Sequence, residues 1–186
     1  MRLFFALDLP IAAQKAIAAF QAKNKTLPFR ASWLDPFQMH LTLAFLGEQP
    51  EERLASLCEI GSQVAKHNAP TTLRTAGLGG FPAPAQARVL WLGVEANADL
   101  EAMAIDLWKG LENRGFTPAA KPFTAHFTLA RFAHLTDIGP FKPSPAPLKI
   151  QIHELVLYES HLNPKGARYE KRASFPFAYT ATQNIT

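Results

Sequence analysis

The sequence carries one long-range echo, and any fold has to accommodate it. His40-Leu41-Thr42-Leu43-Ala44 returns as His126-Phe127-Thr128-Leu129-Ala130, one copy in each half of a 186-residue chain. Both copies lie in runs of strand character, where side chains two apart share a face. His40 and Thr42 are therefore expected on one face, with Leu41, Leu43 and Phe45 on the other. The same parity joins His126 to Thr128 and sets Phe127 and Leu129 opposite. An apolar face suits a packed core, and a His/Thr face suits a cleft.

The flanking sequence supplies further elements. Arg2 to Leu7 reads as a buried strand, and Ile11 to Lys23 as a helix entered at Pro10, with Ile17 and Phe20 on its inner side and Leu27-Pro28 closing it. Ala31 to Leu34 and His40 to Leu46 read as strands, the second ended by Gly47. Pro50 and the acidic pair Glu51-Glu52 open a second helix carrying Leu54, Leu57, Ile60 and Val64, stopped by Pro70. Thr71 to Leu78 and Arg88 to Val94 read as strands around a loop from Gly79 to Pro84. Ala98 to Asn113 is a third helix, with Leu100, Met103, Ile105, Leu107, Trp108 and Leu111 apolar and Gly115 just beyond its end. His126 to Phe132, Leu148 to Tyr158 and Ala173 to Tyr179 read as strands, with a proline-rich loop from Gly139 to Pro147. Strict strand-helix alternation is missing, which favours an α+β class with largely antiparallel sheets.

Composition narrows the functional classes. Hydrophobic residues make up 48% of the chain, which excludes disorder. Cys58 is the only cysteine. That excludes a disulfide framework and a multi-cysteine metal site, and fits a reducing compartment. The net charge of +4 permits an anionic partner without requiring one. Asp8 and Pro10 interrupt the first apolar run too early for a signal peptide, and no stretch reaches the ~20 apolar residues of a membrane span. A cytoplasmic location is expected. There is no His-Glu-x-x-His segment, and Gly77-Leu78-Gly79-Gly80 lacks the ending of a phosphate-binding loop. No metal and no cofactor are expected.

The repeated motif suggests chemistry. Imidazole exchanges protons near neutral pH, and a threonine hydroxyl donates to an anionic oxygen. Two such pairs facing one another would supply an acid, a base and two phosphate clamps, the set needed to open a cyclic phosphodiester with water. A lone His-x-Thr in a strand is commonly a structural histidine; two copies with the same Leu-Ala continuation favour catalysis.

These residues resemble the 2H phosphoesterase superfamily, and within it the RNA 2′,3′-cyclic phosphodiesterases once named 2′-5′ RNA ligases. The matching stretches run from Arg2 to Pro10, His40 to Gly47, Arg88 to Val94, His126 to Arg131, and Leu157 to Glu170. The resemblance implies one bilobal domain over residues 1–186, with two pseudo-symmetric, mainly antiparallel sheets, helices on their outer faces and a central cleft. It implies hydrolysis of an RNA 2′,3′-cyclic phosphate end to a 2′-phosphate, with His40 as general acid and His126 as general base. Thr42, Thr128 and Arg131 would bind substrate. A reversible 2′-5′ joining activity accompanies the family, and RNA is the implied partner of a monomer.

Several readings stay open. The same mechanism could serve small cyclic nucleotide phosphates or an ADP-ribose cyclic phosphate, or the cleft could bind RNA ends without catalysis. Parity places Arg131 on the core side of its strand, so it reaches the cleft only if the strand ends, bulges or is rounded by the long side chain. Lys165, Arg168, Lys171 and Arg172 form a basic run read either as a solvated loop or as an RNA contact. Tyr169 is read as strand-edge packing or as a base-stacking ring. Phe45, Phe123, Phe127, Phe132, Trp33, Trp91 and Trp108 are expected in the core. His67, His134, His153 and His161 carry no motif.

Overall fold

A computed structural model describes residues 1–25, 30–117, 123–140, 146–163 and 166–178. The elements follow in the order β1 (Arg2–Asp8), α1 (Ile11–Asn24), β2 (Ala31–Trp33), β3 (His40–Glu48), α2 (Leu54–His67), β4 (Thr71–Phe81), β5 (Ala87–Val94), α3 (Ala98–Asn113), β6 (His126–Thr136), β7 (Lys149–Ile152), β8 (Glu154–Asn163) and β9 (Gly166–Pro176). They form two antiparallel sheets, β3-β1-β8-β9 and β2-β6-β5-β4-β7, and the expected α+β class holds.

Helices α2 and α3 cover the outer face of the first sheet, and α1 lies against the second. Helix α1 buries Ala13, Ile17 and Phe20, but two polar residues complete its stripe. Gln21 is buried and donates to the carbonyls of Leu34 and Leu129, tying the helix to the strand that carries the second motif. A buried amide with both protons satisfied costs little, so a polar residue can sit where periodicity asks for an apolar one. Ile105 departs in the other direction: it is exposed, while Leu100, Met103, Leu107 and Leu111 of α3 are buried.

Strand β1 is buried on both faces. Leu3, Phe5 and Leu7 join the main core beneath the helices, while Phe4 and Ala6 join Val156 and Tyr158 in a second apolar layer on the opposite face. This explains its continuous apolar run: alternation appears only where one face meets water.

The structure corrects several expected boundaries. Gly47 does not end β3; it lies inside the strand with φ of 67°. A 3₁₀ turn, Glu51–Arg53, precedes α2. Gly79, Gly80 and Phe81 belong to β4 rather than to a loop, because Gly79 pairs with Trp91 and has no Cβ to obstruct its indole. A Cβ there would lie 2.1 Å from the Trp91 ring. The single strand expected from Leu148 to Tyr158 is two strands. Strand β7 pairs with β4 in the second sheet, β8 pairs with β1 in the first, and the chain crosses between them at His153. Apolar patterning records burial and not which sheet a strand joins.

The last strand begins earlier than expected, at Gly166, and pairs with β8 along a ten-residue hairpin arm. Arg168, Lys171 and Arg172 therefore stand on a strand and not in a loop. Leu27-Pro28, most of the proline-rich loop, Lys165 and Tyr179 lie outside the described residues.

Candidate active site

Strands β3 and β6 approach one another between the sheets. His40, Thr42, His126 and Thr128 line one cleft of about 450 Å³, together with Arg131. The structure thus brings together all five residues singled out in the sequence.

The two motifs have the same backbone irregularity. In β3, Phe5 pairs with Ala44 but Ala6 pairs with Thr42, so Leu43 is an extra residue. In β6, Leu90 pairs with Ala130 but Trp91 pairs with Thr128, so Leu129 is extra. Each is a β-bulge, which resets the alternation of faces beyond it. The consequence is visible in burial: Leu43 and Ala44 are both buried, as are Leu129 and Ala130. The next residue then returns to the His/Thr face. That residue is Phe45 in one motif and Arg131 in the other. Arg131 reaches the cleft by the bulge. Phe45 is corrected from core to cleft wall for the same reason. Phe127 and Phe132 are buried as expected.

The histidines are oriented alike. His40 Nδ1 donates to the Gln38 carbonyl at 3.0 Å, and His126 Nδ1 donates to the Thr124 carbonyl at 2.6 Å. A carbonyl only accepts, so Nδ1 carries the proton in each ring. That leaves Nε2 of each ring as the nitrogen able to exchange a proton.

Their surroundings differ. His40 rests among aromatic rings: Phe4 at 4.7 Å, Tyr169 edge-on at 4.7 Å and Tyr158 at 5.7 Å between centroids. Burial holds its pKa down to about 4, against the opposing pull of the Gln38 carbonyl and the Asp8 carboxylate and with the added repulsion of His126. His126 has Phe81 edge-on at 5.1 Å and Trp91 at 5.9 Å. Burial lowers its pKa also, opposed by the Thr124 carbonyl and assisted by the Arg131 charge. Burial thus favours the neutral form of both rings. A phosphate between them would favour both cations.

Several site residues escaped the sequence reading. Asp8 faces His40 across the β1–β3 ladder, accepts from the Tyr158 hydroxyl and pairs with Lys171. That hydrogen bond joins burial in holding the Tyr158 phenol in its neutral form, well above the usual range. Arg2 lines the cleft from the start of β1. Tyr169, which the sequence offered as strand-edge packing or a base-stacking ring, packs on His40 and lines the cleft. Of the basic run, Lys171 is paired with Asp8 and Glu154, and Arg172 with Glu159. Those two charges are engaged within the fold. His161 lies near Glu159 and Glu170 at the surface. Among the described residues no three His, Cys, Asp or Glu side chains converge as a metal-binding group.

Comparison with known proteins follows this geometry. Residues 7–91 match the family model described as LigT like phosphoesterase. A Thermus thermophilus protein named RNA 2′,3′-cyclic phosphodiesterase is 36% identical over 185 residues, covering 91% of this chain and 86% of that protein. The chain belongs to the LigT-like phosphoesterase family. A Geobacillus stearothermophilus protein of the same name is also 36% identical, over 180 residues and 93% of this chain. The chain spans only 56% of that relative's length. The fold superposes on Escherichia coli LigT, solved in complex with 3′-AMP, with a TM-score of 0.79 at 27% identity, covering 95% of this chain and 97% of that one.

Proposed function

We propose that the chain hydrolyses RNA 2′,3′-cyclic phosphate ends to 2′-phosphates, with His126 as general base and His40 as general acid. The observation that carries this reading is the convergence of both His/Thr faces on one cleft. His126 Nε2 takes a proton from water as its oxygen bonds to phosphorus. The bond from phosphorus to the ribose 3′ oxygen breaks, and protonated His40 delivers its Nε2 proton to that oxygen. Thr42 and Thr128 donate to the non-bridging oxygens, and Arg131 balances their charge.

The charged neighbours of the histidines support this division of labour, although burial, the larger effect, disfavours the cation at both rings and more strongly at His40. Asp8 favours a cationic ring at His40, as an acid requires. Arg131 favours a neutral ring at His126, as a base requires. The anionic substrate supplies the remaining push toward protonation of His40. Proton transfer needs no metal in this scheme, since the acid neutralises the leaving oxygen directly. The relatives' names and the nucleotide held by Escherichia coli LigT support a nucleotide phosphate as substrate.

The reading takes residues 1–186 as one bilobal unit, monomeric and cytoplasmic, with the lone Cys58 fitting a reducing compartment. No helix among the described residues is long and apolar enough to cross a membrane. A reversible 2′-5′ joining reaction would use the same groups in reverse. The test is end-group analysis of a cyclic-phosphate-ended oligoribonucleotide after incubation. A 2′-phosphate product is expected. A 3′-phosphate product would reverse the leaving oxygen and overturn the scheme.

A further inference from the structure

We propose that Arg2 binds the phosphodiester next to the reacting one, making the cleft a reader of RNA chains rather than of single nucleotides. This rests on the functional reading above and assigns a second anion subsite to the same cleft.

Arg2 and Arg131 both line the cleft, and neither has a carboxylate partner among the described residues. Elsewhere, Arg74, Arg114, Lys171 and Arg172 are each paired with an acid, and Arg53 and Arg88 donate to backbone carbonyls. Glu48 stands opposite Arg2 in the β1–β3 ladder but is drawn to the Met1 ammonium, at 3.5 Å. The Arg2 guanidinium instead lies 5.0 Å over the Phe45 ring. A flat cation laid on an aromatic face keeps its N–H edge free for an anion.

Position separates Arg2 from the reacting phosphate. Asp8 faces His40 at one end of β1, and Arg2 begins the other end. Between them the rings form a path: Phe4 is 4.7 Å from His40 and 6.4 Å from Phe45, and Arg2 sits on Phe45. Two aromatic rings, Phe4 and Phe45, intervene between the guanidinium and the imidazole, and the proposal lays a nucleoside along them. The bulge that turns Phe45 to the cleft thus gives the first sheet a cation borrowed from β1. In the second sheet the equivalent position is itself a cation, Arg131.

The test is equilibrium binding of two product-type ligands: a nucleoside 2′-monophosphate and a dinucleotide ending in a 2′-phosphate. The wild-type chain should bind the dinucleotide more tightly. Arg2→Ala should weaken the dinucleotide about tenfold more than the mononucleotide, as expected for loss of one charge-assisted contact. Its salt dependence on the dinucleotide should fall by about one ion. Arg2→Lys, which keeps the charge but not the planar stack, should lose part of this preference. Retained binding of the mononucleotide shows that the variant is folded. Equal weakening of both ligands, or of neither, would overturn the subsite. Turnover of a cyclic phosphate by the wild-type chain is scored separately, so failure of the catalytic reading would be recognised as such.

Discussion

The two walls of the cleft share a backbone and differ in electrical surroundings. Each presents a histidine tied by Nδ1 to the carbonyl two residues before it, a threonine two residues on, and a Leu-Ala bulge. Aromatic rings pack on both histidines, but the charge near His40 is a carboxylate, Asp8, and the charge near His126 is a guanidinium, Arg131. Backbone duplication sets like geometry, and the proposed division of proton roles rests on the side chains that differ around it.

The strongest way to break this comparison is to remove either ring. His40→Ala and His126→Ala should each lower kcat by roughly 10²–10⁴, the usual worth of a positioned acid or base, with the fold intact by circular dichroism. A substrate whose 3′ leaving atom is sulfur needs little acid help. It should recover activity in His40→Ala but not in His126→Ala. The opposite pattern would exchange the roles.

Next in size are the clamps. Thr42→Val or Thr128→Val removes one hydrogen bond to an anion, of about 1.5–3 kcal/mol, so kcat/KM should fall about 10- to 100-fold in each. Near-equal losses would support a phosphate centred between the motifs. A large loss in only one would place it against a single wall.

Asp8→Asn sharpens the electrostatic half of the comparison. Removing the carboxylate removes a force that raises the His40 pKa, so that pKa should fall further. The protonated acid becomes scarcer as pH rises. The alkaline limb of the kcat–pH profile should therefore move to lower pH, while the limb set by His126 stays in place. An unmoved alkaline limb would show that Asp8 acts only on Tyr158 and Lys171.

The smallest expected effect concerns stability around the second motif. Gly79→Ala would drive a Cβ into the Trp91 indole and, through it, toward Phe81 and His126. A cost of about 1–3 kcal/mol is expected, read as a lower thermal midpoint.

Much of this was legible in the residues. Helix α3 falls where its apolar repeat places it, and the structure adds its cap, the Asn97 side chain accepting from the Leu100 amide. The two His/Thr pairs were legible because strand parity holds from His40 to Thr42 and from His126 to Thr128. Parity then failed at one residue in each motif. A bulge is a slip in cross-strand register, fixed by β1 and β5 and not by the motif itself. A signal was nevertheless present: Leu43-Ala44 and Leu129-Ala130 are apolar doublets that interrupt alternation, each followed by a residue unlike a core neighbour. The crossing at His153 had no such mark, because Ile150, Ile152 and Leu155 are equally buried in either sheet. Asp8 and Arg2 were hidden for a different reason. Their contacts, with His40, Tyr158 and Lys171 for Asp8 and with Phe45 for Arg2, come from strands distant in sequence, which no local pattern records.

The most direct test is an NMR titration of the histidine side chains with and without a nucleoside 2′-monophosphate. Binding should raise the pKa of both His40 and His126 together, since one phosphate would lie against both Nε2 atoms. A rise at one ring with no response at the other would contradict the shared site.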